Sequence, residues 1–504
     1  MVARTFGSTL CGVDGVIVQI EVARENAVPK ILMTGLAGEI VRESRERVRV
    51  CLSNLGFDVP KSRILVHLSP ADARKQGSQF DLGIALGILC AEECIDARQI
   101  SHTGFLGELG LDGKVRGIHG ALALAQALVN DERLEMVLVP RENGDEVALL
   151  RSKKIRLVDH LVGVIEYLEG TRELDVIKVA EDFVADDSTP SRADLDYVVG
   201  HPVAKRALQI ALAGRHHLLL MGPPGVGKSM LAQCAPSLLP PLCFEELVEV
   251  AKNHGSAKTN WLASRHRPFR APHHSISAAG LLGGGSGIVL PGEVTLAHFG
   301  VLFLDEFPEY RRDVLEGLRE PMQSGVIHLN RVGHSLSLPA RFLLIAAMNP
   351  CPCGFAFSTV KRCGCLWDRV AAYRKRISGP ILDRFDLGSI LSAPSSESHG
   401  TWKHKEFKSS IASAHRRQQE RYGPGCLNGD LVLDFEREQQ KLAPDAQLWF
   451  NQVREKGRLS FRALQKLLKV SRTVADLAGE NDVRQPHLQE AWSLRCPDLH
   501  ALSS

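Results

Sequence analysis

The 504-residue chain has no large excess of either charge: 61 Lys and Arg against 58 Asp and Glu leave a net charge of +3. Any nucleic-acid surface must therefore be a local patch, not a property of the whole molecule. Long hydrophobic runs are also missing; none approaches the roughly 18 apolar residues of a membrane-spanning helix. The opening "MVARTFGSTLCGVDGVIVQIEV" is broken by Gly12, Asp14 and Gly15, so it lacks the apolar core of a signal peptide. The expectation is a cytosolic protein whose twelve cysteines are reduced thiols or metal ligands. Internal repeats and low-complexity tracts are absent too, which sets aside repeat architectures. What remains is ordinary soluble globular composition, 44% hydrophobic and 24% charged, in a chain too long for one core.

Residues 1–180 alternate short apolar runs with Gly and Pro. "GVIVQIEV" and "ILVHLSP" read as strands, "VRESRERVRVCLSNL" and "DLGIALGILCAEE" as helices, and together they predict an α+β domain. The acidic stretch "AEDFVADDSTPSRADLD" has little periodicity and predicts a linker over 181–196. The amphipathic "VVGHPVAKRALQIALAG" then leads into the strand "HHLLLMG". Strands and helices alternate over 197–393, as in a mostly parallel sheet. Residues 394–504 are polar and helical in pattern.

The most specific signal is "LLLMGPPGVGKSM": a strand, then Gly222, Pro223, Pro224, Gly225, Val226, Gly227, Lys228, Ser229 and Met230, then a helix start. This is a phosphate-binding loop in its confirming context. Its backbone N–H groups can turn onto phosphate oxygens, Lys228 can reach the β- and γ-phosphates, and the Ser229 hydroxyl can ligate Mg²⁺. A strand ending in acid should accompany it. "GVLFLDEF" supplies Asp305 to hold the magnesium and Glu306 to take a proton from the attacking water.

With "VLFLDEFPEY", "FRAPHHSISAAGLLGGG", "AAMNPCPCG" and "GPILDRFDL" also present, the chain resembles an AAA+ ATPase of the magnesium-chelatase-like branch, and within it the ComM/YifB group. The resemblance implies an α/β AAA+ core over 197–393 with a C-terminal helical lid over 394–504, and ATP and Mg²⁺ as cofactors. It implies that Asn349 is the sensor that bonds the attacking water or γ-phosphate, that Arg384 is an arginine finger offered to a neighbouring subunit, and that Arg462 is the second sensor. Gly200 and His201 would close over the adenine. A trans-acting finger requires a ring, and six subunits is the family expectation.

Between the phosphate loop and Asn349 lie two insertions. "GVIHLNRVGHSLSLPARF" reads as two strands around a turn near Val332–Gly333 and resembles the hairpin this clade projects into a central pore. Arg331 and His334 near its tip, with Arg270 upstream, are the candidate DNA contacts; Arg267, Arg270, His273 and His274 could equally organise their own loop. The N-terminal region resembles the Lon-protease-like fold of the ribosomal S5 domain 2 type, carried by "KQGSQFDLGIALGIL" and "FLGELGLDGKVRGIHGALALAQAL". Asp81 falls at the serine position and Leu122 at the lysine position, so no serine–lysine dyad is expected. Lys75, Arg74 and Arg116 are candidate phosphate contacts there, beside the alternative of a solvated face.

"NPCPCGFAFSTVKRCGC" holds Cys351, Cys353, Cys363 and Cys365 as two C-x-C pairs. A structural Zn²⁺ clip, free thiols or a disulfide, and a redox switch all remain open. For function, three readings stand: a hexameric DNA helicase that migrates branches of recombination intermediates during natural transformation, a chelatase-type motor driving metal insertion, and a protein remodeller. The absence of an aromatic-hydrophobic-Gly pore loop between the two nucleotide motifs counts against the last.

Overall fold

The computed structural model describes residues 2–35, 39–70, 75, 77–177, 194–257, 266–285, 289–331, 334–356, 361–392, 403–456 and 459–496. The chain divides into two compact units. The first is Met1–Val184 with Leu247–Arg265 and Gly284–Pro291; the second is Ala185–Glu246, His266–Gly283 and Gly292–Ser504. Two segments expected within the 197–393 core therefore belong to the first unit. Lys252 shows how one is attached, its Nζ lying 2.6 Å from Asp14 Oδ1.

The first unit is a mixed eight-stranded sheet. Its order is Asp175–Val176, Ile155–Val158, Met136–Pro140, Thr103–Phe105, Val2–Cys11, Asp14–Glu25, Arg63–Ser69 and Lys30–Thr34. Strand Asp14–Glu25 buries Val18, Ile20 and Val22 on one face, the period-2 pattern of a half-covered antiparallel strand. Helix Asp81–Ala91, "DLGIALGILCA", is apolar nearly all round, and every residue in it is buried.

The second unit is built on five parallel strands ordered Phe269–Arg270, Val301–Leu304, Leu343–Met348, Leu218–Met221 and Leu387–Ile390. "LLLM", "VLFL" and "LLIAAM" are buried at every position, as strands covered on both faces require. The region expected as a lid does not form a separate unit. Phe407, Ile411, Phe450, Leu467 and Val474 share one core with Leu208 and Leu212 of helix Pro202–Gly214 and with strand residues Leu218 and Leu387. Each such side chain contributes about 1.5–3 kcal/mol on burial. Gln418 Nε2 donates to Ala213 O at 2.8 Å, and Arg206 grips Glu490 at 2.6 and 3.1 Å. No helix among the described residues is long and apolar enough to cross a membrane.

Leu195 is fully buried in this core, and Asp194 Oδ1 lies 3.0 Å from His404 Nδ1. Ordered packing thus begins inside the stretch expected as a linker, because Leu195 is an apolar side chain with a core within reach. Residues 178–193 of that stretch lie outside the described residues.

Candidate functional site

The parallel sheet puts three turns side by side. The strand carboxyl ends at Met221, Leu304 and Met348 run directly into Gly222, Asp305 and Asn349. Groups following such ends converge in the crevice where α/β proteins bind ligands. The loop's tight path rests on Gly225 and Gly227, at φ 77° and 92°, which a side chain would oppose.

Lys228 is buried. Its Nζ donates to Gly222 O at 2.7 Å, Pro223 O at 2.8 Å and Asn349 Oδ1 at 3.1 Å, so the ammonium is held inside its own loop. Burial lowers its pKa, while Asp305 pulls the other way. Ser229 Oγ donates to Asp305 Oδ2 at 2.6 Å, which joins the two groups expected to bind Mg²⁺. Gly200 and His201 both take positive φ, 74° and 57°, and the His201 ring bonds the Val226 backbone of the phosphate loop. Met230 is exposed on the helix after the loop.

Glu306 sits in the left-handed region at φ 51°, a conformation that costs about 1 kcal/mol in a non-glycine residue. Its Oε2 lies 3.2 Å from His274 Nδ1. That pairing joins a loop histidine to the expected general base across more than thirty positions of chain, so the sequence pattern gave no signal for it.

Arg384 and Arg462 stand elsewhere. Arg384 precedes the strand Leu387–Ile390, which pairs parallel to Leu218–Met221 with Leu387 opposite Leu218. Arg384 therefore lies at the amino edge of the sheet, and the phosphate loop lies at the carboxyl edge. Arg462 joins Arg384: both donate to Gln323 Oε1, at 3.3 and 3.0 Å. Together they line a cavity of about 480 Å³ with Arg215, Arg341, Lys466 and Lys469. Burial and the neighbouring Arg462 and Arg319 hold the Arg384 pKa below its usual value. Arg462, expected as the second sensor, shares the edge of Arg384.

The cysteine loop starts at the turn after Met348. The sulfurs of Cys351 and Cys353 are 3.4 Å apart, those of Cys351 and Cys363 3.7 Å, and those of Cys353 and Cys363 3.5 Å. With Cys365, all four lie within 4.8 Å of one another. A zinc tetrahedron with Zn–S of about 2.3 Å has sulfur edges of about 3.8 Å, whereas a disulfide needs about 2.0 Å. The donor set fits Zn²⁺, and all four are free thiols in the structure. Gly354, at φ 85°, packs against the phosphate loop so closely that a Cβ there would lie 2.5 Å from Pro224 Cδ.

Several charged candidates are already engaged. Arg270 forms a two-point ion pair with Glu293 at 2.5 and 2.7 Å, so it organises its own loop and is not a free phosphate contact. Arg267 is likewise held by Pro240 O, Phe299 O and Glu246. Strands Val326–Arg331 and His334–Pro339 pair antiparallel from Val326↔Pro339 to Arg331↔His334, which forms the expected hairpin. The side chains of Arg331 and His334, and residues 332–333, lie outside the described residues. In the first unit Lys75 is buried with its Nζ on Pro70 O, which removes it as a surface contact; Arg74 lies outside the described residues. Asp81 is buried and paired with Arg47 at 3.0 Å, Leu122 is buried, and the Ser78 hydroxyl is taken by Glu108.

Three family profiles tile the chain: magnesium chelatase, subunit ChlI, over residues 194–399; subunit ChlI of Mg-chelatase over 20–143; and the ChlI C-terminal region over 402–495. The YifB protein of Salmonella typhimurium is 40% identical, covering 97% of this chain and 96% of its own. The competence protein ComM of Haemophilus influenzae is 38% identical over 98% of this chain and 97% of its own. The chain belongs to the ComM/YifB family of magnesium-chelatase-like AAA+ proteins. A Lon protease homolog from Methanothermobacter thermautotrophicus matches at 39% identity over 75 residues, 15% of this chain and 13% of its own.

ComM/YifB membership implies ATP and Mg²⁺, and the residues present suit both. A buried lysine already bonded to backbone carbonyls of the loop can exchange those partners for phosphate oxygens. The Ser229–Asp305 pair offers a hydroxyl and a carboxylate oxygen to one hard cation.

Proposed function

We propose that the protein is an ATP hydrolase that works as a hexameric ring, by analogy to its family, and acts as a DNA motor that drives branch migration of recombination intermediates. The observation that carries this reading is the division of charge. Lys228, Ser229, Asp305 and Asn349 gather at one edge of the sheet, while Arg384 and Arg462 gather at the other. Parallel strands of four residues keep these edges about 13 Å apart along the sheet. The arginines of one copy then serve the phosphates bound by the next.

Within a site so completed, Lys228 neutralises the transferred phosphate, Asn349 fixes the water, and Glu306, oriented by His274, accepts its proton. Ser229 and Asp305 would hold Mg²⁺, which when bound would supply charge neutralisation to the phosphates. The hairpin Val326–Pro339 is the element assigned to DNA in the pore, by phosphate contacts without base reading. The 38% identity to a competence protein supports a role in integrating imported DNA. The first unit is assigned a Lon-protease-like fold without a protease dyad, and the four cysteines a Zn²⁺ that braces the loop leaving Asn349.

A chelatase-type motor is the second reading. The ChlI profile over 20–143 favours it, because the N-terminal unit, like the nucleotide-binding one, is similar to a chelatase subunit. Purified protein with ATP is tested against a labelled four-stranded junction and against a porphyrin with Mg²⁺. The DNA reading requires junction-dependent hydrolysis and strand displacement, both lost in Lys228→Ala, and ATP retention with a stabilised ring in Glu306→Gln. Stimulation by porphyrin alone would transfer the protein to the second reading.

A further inference from the structure

Gln323 stands where two arginines meet, 61 positions from one and 139 from the other. Its Oε1 accepts Arg384 Nη2 at 3.0 Å and Arg462 Nη2 at 3.3 Å. A neutral amide oxygen is a weak counterpart for two guanidinium groups that repel one another. Arg384 Nε is buried and has no hydrogen-bond partner among the described residues. Asp383 is the nearby counter-charge on Arg384, but among the described residues no carboxylate bonds either guanidinium, which leaves the pair able to take an anion.

The backbone around both residues is held by its neighbours. Lys466 Nζ donates to Asp383 O and to Phe385 O, so it clasps the backbone on both sides of Arg384. His217 Nε2 donates to Met322 O at 3.3 Å and so holds the residue beside Gln323. Ser324 N bonds Glu320 O at 2.9 Å, which closes the short turn Pro321–Ser324 on the other side. Arg384 Nη1 also donates to Pro380 O at 3.2 Å, so its head is held at two points, and Gln323 is the partner that brings it together with Arg462.

We infer that Gln323 is a positioning residue that gathers Arg384 and Arg462 so both reach the triphosphate of ATP held by a neighbouring copy. This rests on the ring reading above. Without Gln323 the arginine heads move apart under their own repulsion, and transition-state charge on the neighbour's phosphate meets misplaced donors. Binding of ATP, which depends on the neighbour's own loop, is left nearly intact.

Steady-state ATPase of the full-length protein tests this. Gln323→Ala is expected to lower kcat about tenfold with KM for ATP within about twofold. Gln323→Glu, whose carboxylate pins both arginines, is expected to lower kcat further while keeping the fold. Each variant is then mixed with Lys228→Ala subunits, which cannot hydrolyse ATP but carry an intact Gln323, Arg384 and Arg462. Activity per Gln323→Ala subunit should rise several-fold on mixing, because the added copies supply correctly aimed arginines. Arg384→Ala mixed with Lys228→Ala is the control for the ring. If that mixture gives no rescue, the ring reading fails and this inference with it. If Arg384→Ala is rescued and neither Gln323 variant is, or if Gln323→Ala keeps wild-type kcat, Gln323 does not position the arginines.

Discussion

Acidification from pH 7 to pH 5 should weaken the core shared by the parallel sheet and the C-terminal helices, through two buried histidines. His216 has its Nε2 2.7 Å from Thr473 Oγ1, and its buried Nδ1 has no hydrogen-bond partner among the described residues, lying 3.9 Å from Asp386 Oδ2. His415 donates from Nε2 to Leu212 O at 2.9 Å. Burial pushes both down to about 4; for His216 this outweighs the opposing pull of Asp386. An unfolded histidine titrates near 6.5, so below that pH the unfolded chain takes up protons that the folded chain refuses until about 4. Stability is therefore full above about pH 6.5 and is lost as pH falls toward 4, by about 2 kcal/mol per histidine at pH 5. His415→Gln keeps a donor for Leu212 O and cannot titrate. Urea unfolding of the full chain at pH 7 and pH 5, followed by fluorescence of the edge-on Trp449–Trp492 pair, reads the difference. The pH-induced loss should be smaller in His415→Gln by about 2 kcal/mol, or roughly 0.7 M in midpoint for an m-value of about 3 kcal/mol/M. Equal losses in the two proteins would refute the reasoning.

Gly354→Ala forces a Cβ into Pro224 and strains a left-handed turn, so KM for ATP should rise about tenfold; an unchanged KM would show that the cysteine loop does not bear on the phosphate loop. His274→Ala releases Glu306, and kcat should fall about tenfold at nearly constant KM, checked by steady-state hydrolysis under saturating ATP. Protein purified without added metal should carry about one zinc per chain by elemental analysis. In the double variant Cys353→Ser, Cys363→Ser it should carry less than about a tenth, with a melting temperature several degrees lower.

The phosphate loop, Asp305, Glu306 and Asn349 were legible in the sequence because each follows directly on a short apolar strand, and the parallel sheet aligns those strand ends. The hairpin was legible for the same local reason, its two alternating runs flanking a single turn. What escaped depends on contacts far apart in the chain. Arg270 looks like a free cation until Glu293, 23 positions on, folds back onto it. The pairings of His274 with Glu306 and of Gln323 with two arginines leave no periodicity to detect. The resemblance suggested a second sensor at Arg462 but not which edge of the sheet it occupies. Nor did composition show that Leu247–Arg265 leaves the nucleotide-binding unit for the other one, or that Leu195 belongs to a core and not to a linker.

The separation of Lys228 from Arg384 across the sheet has a consequence for how the protein responds to its own abundance. On the proposed ring reading, a lone copy holds one half of two different reaction centres and a complete set of neither. Turnover per molecule should then climb steeply with protein concentration and fall away on dilution, well before any copy unfolds. An enzyme of the proposed kind would measure crowding: scattered copies would store nucleotide without spending it, and hydrolysis would begin only where enough of them collect.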